Sequence, residues 1–127
     1  MKIAVCAGEK SGDALGHELL VDLKKNFENI EIIGVGGSQM ESQGLKSFFP
    51  IKEISYMGLI DPLLNLKKIL KRRKDFISFL KKENPDIFIG IDSPSFNSGI
   101  CKTLRKETNI KTVPVSYTHL TLPTIPG

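Results

Sequence analysis

A chain of 127 residues is long enough for one compact domain and too short for two ordinary ones. At 40% apolar and 25% charged it has a soluble globular composition, and no apolar run approaches transmembrane length. The formal charge of +4 is modest but unevenly spread. Cys6 and Cys101 stand in apolar patterns without paired spacing, which argues against a disulfide framework or a cysteine metal site and points to a reducing compartment. Met1-Lys2 leads straight into a short strand-like run followed by Glu9, so no export signal is read.

Lys2 to Ala7 reads as a first buried strand, broken at Gly8. Gly8-Glu9-Lys10-Ser11-Gly12-Asp13 then turns the chain into a helix, with Ser11 the expected N-cap and Asp13 complementing the dipole in the first turn. Leu15, Leu19, Leu23 and Phe27, joined by Leu20, form its core-facing stripe. Ile30 to Val35, closed by Gly36-Gly37, is a second strand and completes a βαβ unit. A short helix is expected over Ser38 to Gly44, a third strand over Leu45 to Pro50, and a connector from Ile51 to Gly58. A long helix runs from Pro62 to Lys82. Ile87 to Ile91 is a short Ile-rich run bounded by turn residues, which predicts a strand buried on both faces. The next helix is expected from about Ser93 to Glu107, with Pro94 in its first turn, and Lys111 to Val115 opens a fifth strand. Strands alternating with helices imply an α/β fold, a doubly wound and mostly parallel sheet. Past Pro114 the character changes: Ser116 to Gly127 has no Lys, Arg, Asp or Glu and no helical period.

Asp92 falls at the carboxyl end of the fourth strand, the edge where open α/β sheets bind ligands. Two readings stay open. It caps the following helix, or it serves as a general base, a carboxylate taking the proton of a sugar hydroxyl that attacks an electrophilic carbon. The Gly8–Asp13 turn matches neither G-x-G-x-x-G nor a P-loop, and Glu9 and Asp13 would repel a pyrophosphate. On spacing alone a tight capped turn is preferred over a sugar-binding loop built on Glu9 and Ser11. Gly34-Val35-Gly36-Gly37 reads as close backbone approach in a turn. His17 and His119 lack any convincing ligand or triad spacing.

The helix over residues 62–82 places Leu63, Leu66, Ile69, Leu70, Phe76, Ile77 and Leu80 on one face, with Arg73 inside that stripe. Leu64 and Phe79 fall opposite, among lysines, and only Asp75 counters the basic residues. A solvated charged face is the plain reading; a basic helix with exposed Leu and Phe also suits an anionic membrane surface. No signature supports nucleic acid as the polyanion.

At these residues the chain resembles the lipid-A-disaccharide synthase family. The resemblance is carried by Ala7-Gly8-Glu9-Lys10-Ser11-Gly12-Asp13 with Leu15-Gly16, and by Gly34-Val35-Gly36-Gly37 with Met40 and Gly44. Ser55, Met57-Gly58-Leu59, Pro85-Asp86, Gly90-Ile91-Asp92-Ser93-Pro94 and Phe96-Asn97 complete it over roughly residues 1–114. Lys10 and Ser95 depart from the pattern, where the family often has a small residue and an acidic one.

The resemblance implies a glycosyltransferase of the B fold, of which residues 1–115 would be an incomplete Rossmann-like N-terminal, acceptor-side domain. It implies inverting transfer of 2,3-diacylglucosamine from UDP-2,3-diacylglucosamine to 2,3-diacylglucosamine 1-phosphate with release of UDP, without metal or cofactor. It makes Asp92 the catalytic base, and Glu9, Ser11, Gly12, Asp13, Ser93 and Asn97 the lining of the substrate cleft. It assigns Ile60, Leu63, Leu64, Leu66, Lys67, Lys71 and Arg72 to membrane or acyl-chain contact, on the cytoplasmic side of an inner membrane. Residues 116–127 replace the family's continuation with a stretch similar to translated sequencing-adapter sequence, and are expected to be non-native. With no UDP-binding C-terminal domain in the chain, the polypeptide alone is expected to be inactive. The competing readings are a stand-alone membrane-surface module using the basic helix, and another nucleotide-sugar enzyme of the same fold.

Overall fold

The computed structural model describes residues 1–52, 66–92 and 94–115. Ile60, Leu63, Leu64, Ser93, the start of the long basic helix and residues 116–127 lie outside the described residues. The described chain runs β1 (Lys2–Ala7), α1 (Lys10–Asn26), β2 (Glu31–Val35), α2 (Ser38–Glu41), β3 (Lys46–Ser47), α3 (Leu66–Glu83), β4 (Ile87–Ile91), α4 (Pro94–Glu107) and β5 (Lys111–Val115).

The five strands form one parallel sheet in the order β3-β2-β1-β4-β5. From β1 the chain moves outward through β2 to β3, then returns to the other side of β1 for β4 and β5. Because every crossover must keep the same hand, the helices of the two halves lie on opposite faces of the sheet. Period-two alternation sorts the strand residues accordingly. Ile3, Val5, Ala7, Ile89 and Ile91 join Leu20 of α1 and Met40 of α2 in an aliphatic layer. Ala4, Cys6 and Phe88 face the other way, into a layer with Phe76 and Leu80 of α3 and Phe96, Ile100 and Leu104 of α4. The small side chains of β1 on that face leave room for aromatic rings: Phe76 meets Phe88 edge-on at 6.2 Å, and Phe49 meets Phe96 at 6.4 Å. This is a doubly wound, Rossmann-like α/β sheet.

Four local expectations are corrected. Helix α1 starts at Lys10, so Ser11 lies inside it; the N-cap is Glu9, extended and with no side-chain capping bond. Phe27 is the C-cap, turned extended and 48% exposed, and so has left the stripe. The third strand shrinks to Lys46–Ser47 because the Ser47 hydroxyl accepts from the Gly36 amide and donates to the Phe49 carbonyl, diverting the backbone from the ladder. Phe79 does not stand among solvated lysines: it stacks on Phe48 at 4.5 Å, a ring supplied by the segment after β3.

Candidate active site at the sheet's switch point

Strand order reverses between β1 and β4, and the crevice beyond their carboxyl ends is where such sheets bind ligands. Ala7 pairs with Ile91, so the two chains leave the sheet side by side, one into Gly8 and Glu9, the other into Asp92.

On the β1 side, Glu9 is exposed with extended backbone (φ −143°, ψ 161°), and Ser11 is exposed in the first turn of α1. First-turn amides have no intrahelical acceptor, and the Glu9 side chain makes no capping bond to them. Gly12 is buried where the helix presses on the strand ends; a Cβ there would stand 3.3 Å from that of Ala7 and 3.4 Å from Ile91. Asp13 behaves differently. It is 5% exposed, and its carboxylate accepts from the amides of Gly37 (2.9 Å), Gln39 (3.1 Å) and Met40 (3.0 Å). Helix α2 begins after a glycine that has no side chain to cap it, and Asp13 supplies that cap from another helix, with its charge at the positive end of the dipole. Gly37 has to be glycine for this approach, since a Cβ would fall 2.6 Å from Oδ2 of Asp13.

On the β4 side, Asp92 is half-buried at φ +50°, the left-handed region that only a few residue types enter. Its backbone is held at both ends: the amide donates to the Val115 carbonyl at 2.8 Å, and the carbonyl accepts from Asn97 Nδ2 at 2.8 Å. Asn97, four residues into α4, is 3% exposed. The same Nδ2 lies 3.3 Å from the carbonyl of Cys6 in β1 and 3.3 Å from that of Ile91 in β4. Three carbonyl oxygens around one atom fix the amide's orientation, because the flipped amide would set oxygen against oxygen. Its Oδ1 is buried without a hydrogen-bond partner among the described residues.

The family model described as lipid-A-disaccharide synthetase matches residues 3–118. The chain belongs to the lipid-A-disaccharide synthetase family. It is 50% identical over 113 residues to the lipid-A-disaccharide synthase of Pseudomonas fluorescens (strain Pf0-1), covering 89% of this chain and 30% of the relative. The corresponding enzyme of Pseudomonas putida (strain F1) is 48% identical over 87% of this chain and 29% of its own length. That of Pseudomonas aeruginosa (strain LESB58) is 44% identical over 89% and 30%. The chain thus spans less than a third of the length of these curated relatives.

Of the residues that the family resemblance singles out for membrane contact, Leu66, Lys67, Lys71 and Arg72 are described. Leu66 is 48% exposed, and Leu70 one turn on is 40% exposed, with Lys67, Lys68 and Lys71 exposed beside them. Arg72 instead lies half-buried with its guanidinium 5.8 Å above the Phe49 ring. Arg73, inside the apolar stripe, reaches α4, where a Cβ on Gly99 would meet its guanidinium. No helix among the described residues is long and apolar enough to cross a membrane. Cys6 and Cys101 are buried, and burial pushes both thiols up, away from nucleophilic use. His17 is half-buried with its ring beside the Gln43 amide.

Proposed function

We propose that this chain forms the acceptor-side part of a lipid-A-disaccharide synthase, an inverting glycosyltransferase, with Asp92 as the general base. The substrates are UDP-2,3-diacylglucosamine and 2,3-diacylglucosamine 1-phosphate. The acceptor hydroxyl oxygen attacks the anomeric carbon, the bond from that carbon to the diphosphate oxygen breaks, and UDP leaves with the bonding pair. Asp92 takes the hydroxyl proton as the attack proceeds, so that an alkoxide need not form first. Glu9, Ser11 and Gly12 border the same crevice, and Glu9 is suited to hold a sugar hydroxyl as acceptor.

The observation that carries this reading is the placement of Asp92: a carboxylate at the switch point, on a backbone held in the left-handed region by bonds at both ends. Non-glycine residues in that region cost about 1–3 kcal/mol and persist where the surroundings over-determine them, often at active sites. In the full-length parent enzyme, Asp92→Asn is expected to lower kcat by about 10²–10⁴-fold, the usual worth of a positioned base, with the thermal midpoint kept. Turnover near the parent level would sink the assignment. The 127-residue chain alone is expected to transfer no sugar; turnover by it would contradict the division of the active site that we propose.

We place the enzyme at the cytoplasmic face of the inner membrane, docked through the amino-terminal end of α3. The exposed Leu66 and Leu70 beside Lys67, Lys68 and Lys71 support this, since apolar side chains flanked by basic ones suit an anionic lipid surface. Each basic residue near such a surface is worth about 1 kcal/mol, so Lys67→Gln with Lys71→Gln should weaken binding to anionic vesicles by about 30-fold. Unchanged sedimentation with those vesicles would remove this helix from the membrane contact.

A further inference from the structure

We propose that Asn97 is a positioning residue that sets the width of the crevice and holds Asp92 in its left-handed conformation, rather than a group that touches sugar. The inference rests on the reading of Asp92 as the base. At 3% exposure Asn97 has almost no surface to offer a ligand. Its Nδ2 is instead aimed at the sheet, at the carbonyls of Cys6, Ile91 and Asp92. Cys6 and Ile91 belong to the two strands that bracket the switch point, so one primary amide ties both walls of the cleft together at their outgoing ends. The bond to the Asp92 carbonyl then acts on the peptide that follows the left-handed residue. Without it, the backbone is free to relax toward negative φ, which would swing the carboxylate away from its line to the acceptor. Gly90 belongs to the same device: a Cβ there would lie 2.9 Å from that of Asn97 and force the amide off the strand ends. The glycine, the aspartate and the asparagine are therefore one unit in which only the aspartate meets substrate.

The test is steady-state kinetics on the full-length parent enzyme carrying Asn97→Leu, which keeps the branched side-chain skeleton and removes the donors, with Asp92→Asn measured in parallel. A displacement of about 1 Å at a reacting group costs roughly 100-fold, so kcat of Asn97→Leu is expected to fall about 100-fold with KM for both sugars within about 3-fold. A change that only loosened the fold would scale activity with the folded fraction and leave no such split per folded molecule. A raised KM with kcat preserved would make Asn97 a substrate contact and overturn the proposal. Normal kcat in Asn97→Leu while Asp92→Asn is dead would overturn it and leave the base reading standing. Normal kcat in Asp92→Asn would remove the base reading and the proposal with it. Should Asn97→Leu fail to fold, Gly90→Ala retains every hydrogen-bonding group and displaces the amide; a kcat drop of about 10-fold at constant KM is expected, and parental kcat overturns the proposal.

Discussion

The two strand-to-helix junctions at the switch point use the same residue types in opposite roles. At the β1–α1 junction the backbone is unstrained, and an acid, Asp13, is buried to cap a second helix. At the β4–α4 junction the backbone is strained, an amide, Asn97, is buried to hold it, and the acid, Asp92, is left half-buried at the rim. The Asp13 carboxylate accepts from three backbone amides and so has most of its lone-pair capacity committed to holding α2. The difference teaches where to look for chemistry: the acid that the fold uses is the deeper one, and the acid on the strained backbone is the one proposed to react.

Removing the Asp13 carboxylate tests that contrast most severely. Asp13→Ala would leave amides of α2 without acceptors in a part-buried site, and three charge-assisted bonds would be lost together. A loss of at least ~3 kcal/mol in the stability of the full-length enzyme is expected by denaturant unfolding, with kcat per folded molecule nearly unchanged. A silent unfolding curve with collapsed turnover would place Asp13 in the reaction and dissolve the distinction. Gly37→Ala presses on the same bond from the other side, where a Cβ would stand 2.6 Å from the carboxylate, and should cost about 1–3 kcal/mol in the same measurement.

What was legible beforehand follows the range of the interactions. The runs Lys2–Ala7 and Ile87–Ile91 announce buried strands because burial on both faces makes nearly every residue apolar. Pro94 marks the start of α4 because proline costs nothing at a first helical position. Asp92 could be placed at the strand end from that pattern alone, but its left-handed backbone is held by tertiary bonds, to the Val115 carbonyl at the end of the next strand and from the Asn97 side chain in the next helix. The capping role of Asp13 depends on residues 24 to 27 positions away, and the bond from Asn97 to Cys6 spans 91 positions. No local period carries such pairings. Helical period also misplaced Phe79, because the ring that covers it, Phe48, comes from outside the helix. Ser11 has the residue type of a cap, while the N-cap falls two residues sooner, at Glu9.

The smallest expected effect is at Glu9, and it decides whether the β1–α1 junction contributes to chemistry at all. Glu9 occupies the N-cap position, yet its side chain makes no capping bond and is exposed, so Glu9→Gln should shift stability by no more than about 0.5 kcal/mol. A hydrogen bond from a sugar hydroxyl to a charged acceptor exceeds one to a neutral acceptor by roughly 1 kcal/mol, which predicts a KM for one of the two sugars raised about 5-fold at constant kcat. The check is KM for each substrate with the other saturating, beside a thermal melt of the same preparation. If the melt moves and neither KM does, Glu9 joins Asp13 as a support of the fold. The β1 side of the crevice would then be a wall, with recognition as well as proton transfer assigned to the β4 side.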